Sequence, residues 1–437
     1  MFFNEDWVTG GLYYALFLKE GIMRNIAFKI SLVFIFLIPW EGVQLPGLGT
    51  ITRLFGFVMA GFWLATVVIT KQLRKPGPFH IMVCIFVLWA ALSIFWSENP
   101  NRTLGHVKTW LQLLMFVFVL WDLYTTKTAI FAGLQAFILG EYIGVGMTIY
   151  NYFTGNAYYT HYQRFSPSPT TNPDGFGIMV ALGISIAWYI ASSESTTKWG
   201  RILKFINYAY IPVAFIGITL SGTRTAMIAS IPAIAFGLAS LTRLRLAARI
   251  VIFLLLTWAV LILLPRFQEL RSFQRFSTTV PELTQGDLNG RTEKWSDGLD
   301  SFIEHPLLGV GSNMYRSVTR QGNVAHNAFI SVLVELGLIG FMLFGLILTI
   351  AFIQAWKQPK WESSFWITLL ITWVIAVSSL SYEDRRATWL FLGMIVASAA
   401  LTRQREKQIY RTTRSINLIG LKERDSQRNA VASVKLR

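Results

Sequence analysis

Three side chains in this 437-residue sequence pair a reactive type with a place from which to act on an anionic substrate. His326 stands in Asn323-Val-Ala-His-Asn-Ala-Phe at the head of a long apolar run, with Asn323 read as helix N-cap and His326 in the first turn. Partial burial and the positive helix end both disfavour imidazolium, so the ring should stay neutral and able to accept a proton near neutral pH. The same helix end attracts anions such as a pyrophosphate. Arg291 opens Arg-Thr-Glu-Lys-Trp-Ser-Asp-Gly-Leu-Asp-Ser-Phe, which as a helix aligns it with Trp295, Gly298, Leu299 and Phe302 on one face. An arginine in line with an apolar stripe should point at protein, headgroup or ligand. Arg224 sits in Ser221-Gly-Thr-Arg-Thr-Ala226, a very short turn between two apolar runs. The plain alternatives are a structural interfacial histidine and an arginine snorkelling beside Trp295.

The other polar groups carry weaker signals. His305 precedes a proline at a turn and reads as structural, while the glycines of Pro306-Leu-Leu-Gly-Val-Gly311 permit tight turns and close approach to another group. Glu335 follows His326 by nine residues, about 180° round a helix, so it should face away in a structural role. Glu141 is ionisable within an apolar run and has no nearby basic partner in sequence. Asp297 and Asp300 form only a weak carboxylate pair, and no His or Asp cluster has metal-ligand spacing, so no metal is expected. The single cysteine, Cys84, excludes an internal disulfide framework and Cys-pair redox chemistry.

The elements that must position these groups cross a membrane. Only 14% of the residues are charged against 53% hydrophobic, where a soluble chain carries about 25% charge. About twelve apolar runs are long enough to cross a hydrocarbon core, near 25–39, 51–70, 79–96, 104–121, 128–150, 174–191, 203–220, 224–240, 247–264, 325–355, 363–380 and 386–401. The expected fold is all-α and polytopic. Residues 1–24 read as an interfacial N-terminus, 25–264 as nine membrane helices, 265–324 as one large outer loop, 325–401 as three more helices and 402–437 as a basic tail. The short loops on one side hold twelve Lys and Arg against five on the other, which puts both termini in the cytoplasm and His326, Arg291 and Arg224 together outside. The tail, with ten basic residues against three acidic ones, reads as a disordered segment near anionic lipid. No interleaved aromatic platform supports nucleic-acid binding, despite the net charge of +16.

Taken in order, the Ser-Gly-Thr-Arg-Thr-Ala turn, Gly290-Arg291 with Trp295, Pro-Leu-Leu-Gly-Val-Gly and His326-Asn327 leading to Glu-Leu-Gly-Leu-Ile-Gly340 resemble the O-antigen ligase and polymerase superfamily of bacterial envelope enzymes. The resemblance covers roughly residues 164–345 in motif and the whole chain in architecture. It implies about twelve spans and one large periplasmic loop in the bacterial inner membrane. It implies an inverting, metal- and cofactor-independent glycosyltransferase that moves a glycan from an undecaprenyl-pyrophosphate donor to a sugar hydroxyl on a lipid-linked acceptor. Arg224 and Arg291 match the family's pyrophosphate-holding arginines, and His326 its essential histidine, with a proposed role as base. Arg164, Arg316, Arg385, Arg386 and Asn327 are expected to add substrate contacts.

Two other activities fit the residues less well or equally. Polymerisation of O-antigen or exopolysaccharide repeats uses the same groups as ligation to a lipopolysaccharide core, so the acceptor stays open. A lipid-linked glycan flippase would suit the size and span count, yet the runs show no internal repeat and the polar groups lie on one outer surface rather than at the midplane.

Overall fold

The computed structural model describes residues 5–45, 47, 49–158, 163–193, 198–244, 246–275, 291–320 and 322–434. Asn289 and Gly290 of the motif, together with most of the approach to it from residue 276, lie outside the described residues, as do the last three residues of the tail.

The chain is an all-α, polytopic membrane protein. Eight helices are long and apolar enough to cross a bilayer: Gly21–Trp40, Ile51–Thr70, Pro78–Phe95, Pro100–Leu123, Lys127–Thr154, Pro173–Ala191, Arg224–Arg243 and Ala328–Trp356. A ninth crossing results if Gly200–Tyr208 and Tyr210–Ser221, bent by 44°, act as one broken span. Three further expected spans coincide with helices Leu246–Gln268, Lys360–Val377 and the start of Arg386–Val434. Their apolar stretches are short and bounded by charged groups such as Arg249, Lys360, Glu362 and Arg403. Length and composition thus support eight or nine crossings among the described residues, where the sequence suggests twelve.

Local sequence explains where the helices begin. Thr50, Asn99, Thr126, Asn172 and Asn327 each accept a backbone N–H from the first turn, relieving donors that have no intrahelical partner. Pro78, Pro100 and Pro173 sit in the first turn, where the missing N–H costs nothing.

The helix Pro173–Ala191 forms the centre, packed against Arg224–Ser240, Tyr210–Ser221, Lys127–Thr154 and Lys360–Val377. Its sequence is apolar all round and nearly every side chain on it is buried, as a helix enclosed on all sides requires. At one end of the bundle, buried Asp122 accepts from Trp63 Nε1 at 3.1 Å and the Arg74 amide at 2.9 Å, and pairs with Arg24 at 2.9 Å. At the other end lie the hairpin of Gln44–Leu45 and Gly49–Thr50, the Ser221–Arg224 turn, the 378–385 loop and the entry to Ala328–Trp356.

The tail departs from expectation. The last helix continues from Arg386 to Val434 rather than dissolving after the membrane. Residues 402–434 contain no proline and one glycine, and are rich in Arg, Gln, Glu, Lys, Ala and Leu, which carry little helix penalty.

Candidate active site

The site is built around a break in the helix Ala328–Trp356. Gly337 has φ +65° and ψ −170°, outside helical geometry, so the carbonyls before it lose their intrahelical partners. The segment 306–311 docks into this gap. Val310 N donates to Val334 O at 3.1 Å, Gly311 N to Glu335 O at 2.9 Å, and Trp89 Nε1 to Leu336 O at 2.9 Å. Leu338 N donates in return to Pro306 O at 2.9 Å. The carbonyls of residues 334–336 and the amides of 338 and 339 thereby regain partners, which an apolar surrounding demands. The contact requires glycine on both sides, because a Cβ on Gly309 would strike the backbone of Glu335 and Gly337, and one on Gly337 the backbone of Leu307.

This docking places the approach to His326. The break holds residues 310–315 against Glu335, whose carboxylate accepts from Asn313 N at 2.6 Å and Tyr315 N at 3.3 Å. The helix Arg291–Glu304 packs on the same segment: Tyr315 Oη donates to Lys294 O at 2.8 Å, and Trp295 Nε1 to Ala325 O at 2.7 Å, one residue before His326. Gly298 is buried beneath the Tyr315 ring and Phe302 packs on the small cluster around it, as the sequence face suggests, whereas Leu299 is exposed.

His326 itself is not in the first helical turn. The N-cap is Asn327, whose Oδ1 accepts from Phe329 N at 2.9 Å and Ile330 N at 3.1 Å, while His326 precedes it with φ +48°. Asn323 instead gives its carbonyl to the Thr319 hydroxyl at 3.0 Å in the approach loop. Both asparagines are sound caps by type; the loop fastened at residues 310–325 decides which one meets the helix. Since His326 lies off the helix, the angular count that turned Glu335 away from it does not apply, and both line one cavity.

That cavity, about 420 Å³, is lined by His326, Arg316 and Arg385 among the expected residues. It adds groups that sequence reasoning missed, chiefly Arg102, His106, Glu383 and Asp384. His106 Nδ1 lies 2.8 Å from Ser312 Oγ and Nε2 3.2 Å from Asp384 Oδ2, so it ties the membrane helix Pro100–Leu123 to two loops. Its one sequence signal is an ionisable side chain within an apolar run. Burial, then the nearby Arg291 and Lys294 cations, push the His326 imidazole down to about 4, against the opposing charge of Asp174. The ring is therefore neutral at physiological pH, mainly through burial and cations rather than a helix end. Glu383 is pushed up to about 8 by burial and by the charge of Asp384 beside it, and its Oε2 has no hydrogen-bond partner among the described residues. Asp384 is held below the usual carboxylate range: burial opposes this, but the His106 hydrogen bond and the charges of Arg385 and His106 outweigh it.

Arg224 begins the helix Arg224–Ser240, and its turn is positioned by Arg164. Arg164 Nε donates to Ser221 O at 2.7 Å, and Nη2 to Asp174 Oδ1 at 2.6 Å and Thr223 Oγ1 at 3.2 Å. It is buried, with its donors spent on protein, so it acts as scaffold for the turn. Gly177 allows the turn to press close, since a Cβ there would fall 2.7 Å from Ser221 Oγ. Asp174 also feels the charges of Arg275 and Arg291, which places the Arg291 end of its helix beside this turn. The Ser379 hydroxyl donates to Thr225 Oγ1, joining Arg224's helix to the loop that carries Glu383 and Asp384. Arg224 and Arg291 flank the cavity without lining it. Arg386 is engaged by Glu41 at 2.6 Å, and Asn327, besides capping, donates Nδ2 to Ser378 O at 3.1 Å.

A multi-pass helical bundle that gathers a neutral histidine and several arginines at one end of its helices defines a membrane protein with a cationic candidate site. Residues 209–345, which hold Arg224, Arg291 and His326, match the family profile described as O-Antigen ligase. The chain is 24% identical over 328 residues to the exopolysaccharide production protein ExoQ of Rhizobium meliloti (strain 1021), covering 68% of this chain and 70% of that relative. It is 26% identical over 339 residues to the O-antigen ligase of Pseudomonas aeruginosa, covering 74% of this chain and 76% of that relative. Residues 209–345 thus carry the O-antigen ligase match, and together with both relatives it supports an enzyme role in polysaccharide synthesis, with lipid-linked saccharides as the substrates the family implies.

Proposed function

We propose that the protein is a glycosyltransferase that moves a glycan from an undecaprenyl-pyrophosphate donor to a sugar hydroxyl of a lipid-linked acceptor, on the periplasmic face of the bacterial inner membrane. The observation that carries this reading is the cavity in which a neutral His326 meets Arg316 and Arg385, with Arg291 close enough to depress its basicity. In the reaction the acceptor oxygen bonds to the anomeric carbon as the bond from that carbon to the pyrophosphate oxygen breaks, with inversion. His326 takes the hydroxyl proton. Arg291 and Arg224 hold the leaving pyrophosphate, whose growing negative charge their planar forks match.

Ligation is the first reading. Extension of a lipid-linked repeat is the second, supported by similarity of comparable extent to a protein named for exopolysaccharide production. Proteoliposomes with radiolabelled donor and defined acceptors test both. Label appearing on the acceptor with release of undecaprenyl pyrophosphate is the expected result, and the acceptor that works separates ligase from polymerase. Passage of intact donor across the bilayer without release points instead to a transporter and overturns the proposal.

A further inference from the structure

A second, larger cavity of about 640 Å³ opens beside the first and shares Asp384 and Arg385 with it. Its size falls within the range of roughly 300–1,000 Å³ usual for ligand sites. Its walls are the helices Ile51–Thr70 and Pro100–Leu123, with Phe34 and Phe116 buried at its floor. Phe57 and Leu111 on the same walls are 56% and 49% exposed, so the flank is apolar and open to hydrocarbon. The rim is cationic. Glu41 pairs with Arg386 and Arg385, while Arg53 and Lys108 are exposed and have no carboxylate partner among the described residues. Gly105 leaves the wall open, since a Cβ there meets nothing within 4 Å.

We propose that this groove holds the acceptor, a phosphorylated lipid whose chains lie against Phe34, Phe57 and Phe116 and whose phosphate sits at Arg53 and Lys108. Its saccharide then extends past Asp384 and Arg385 into the cavity of His326. The argument rests on the glycosyl-transfer reading for the identity of the lipid as acceptor, but not for the binding itself. A soluble anion has no use for an aromatic floor, and a neutral lipid has none for two unpaired cations at the rim.

The test is photolabelling of the full-length protein in proteoliposomes with a polyprenyl phosphate carrying a benzophenone at its chain end, with labelled peptides mapped. Label is expected on peptides from 51–70 and 100–123. It should fall about tenfold or more in Gly105→Phe, which fills the groove from an open position, and about 30-fold in Arg53→Glu with Lys108→Glu. Gly105→Ala, which adds one methyl to open space, should label as wild type and shows that the helix tolerates a side chain there. His326→Ala should also label normally. Equal labelling by the neutral polyprenol, or undiminished labelling in both groove variants, overturns the proposal. Transfer assays on the same preparations keep the two ideas apart. Groove labelling without any glycosyl transfer sinks the enzymatic reading alone, whereas transfer with an unchanged acceptor KM in Gly105→Phe sinks the groove alone.

Discussion

His326 sits where burial and cations hold its ring neutral down to about pH 4, and this sets how activity should respond to acid. The base form is present above the pKa and is lost as pH falls through it. Turnover should therefore hold steady from pH 8 to about 5 and decline only below, well under the value of about 6.5 for a free histidine. His326→Ala should remain inserted and bind donor but lose about 100-fold or more in turnover. Loss of donor binding in that variant, or wild-type turnover, defeats the assignment as base. For Arg224 and Arg291, replacement by lysine keeps the charge but not the bidentate fork, so each should lose roughly 2–4 kcal/mol of transition-state stabilisation, about 30- to 1,000-fold in rate. Full activity in both lysine variants argues for snorkelling. Glu383 carries the opposite linkage. Its folded pKa of about 8 exceeds its ordinary 4.5, so the stability tied to its neutral form is complete below about 4.5 and is lost as pH rises through 8. In Glu383→Gln the fall of the melting temperature between about pH 5 and 8 should flatten, as thermal melts in detergent will show.

At the scale of elements, the interrupted helix is the device that brings remote segments to the site. A membrane helix can be broken only where other groups satisfy its backbone, and here 306–311 and Trp89 supply them. Gly337→Ala places a side chain at positive φ against the Leu307 backbone, so it should cost at least about 1–3 kcal/mol and disturb the docked segment that holds 313–315. Gly345→Ala lies in the same helix with open space around its Cβ and should be neutral or stabilising by up to about 1 kcal/mol. Equal melting temperatures for the two variants remove the break from its structural role. The paired glycines at 309 and 311 were legible as sites of close approach, but their partner was not, because Glu-Leu-Gly-Leu-Ile-Gly reads as an uninterrupted apolar helix until something is seen to fill the gap.

For the whole molecule, one end gathers His326, Arg291, the Arg224 turn and both cavities, and the charge asymmetry of the short loops predicts that this end faces outside. In a Cys84→Ala background, Thr292→Cys should react with an impermeant thiol reagent added to intact cells, while Lys71→Cys should react only after permeabilisation. The reverse pattern turns the protein over and removes the periplasmic site with it. Both positions are exposed, so poor access does not explain a failure to label.

Sequence alone determined the membrane class, because hydropathy over about 20 residues is a local property. It also singled out His326, Arg224 and Arg291 as candidates, because an arginine or histidine at the edge of an apolar run is conspicuous there. Tertiary structure decided which of them share a cavity. Arg164 looked as available as Arg316 until Asp174 and the Ser221 carbonyl were found to occupy its donors, and Arg386 and Arg385 both pair with Glu41, although Arg385 still lines the cavity. His106, Glu383 and Asp384 entered the site through contacts more than 200 residues apart in sequence, from His106 to Ser312 and to Asp384. Pairings of that range leave no periodicity or spacing to read, since they arise only when the broken helix, the docked glycine loop and the 378–385 loop close on one another.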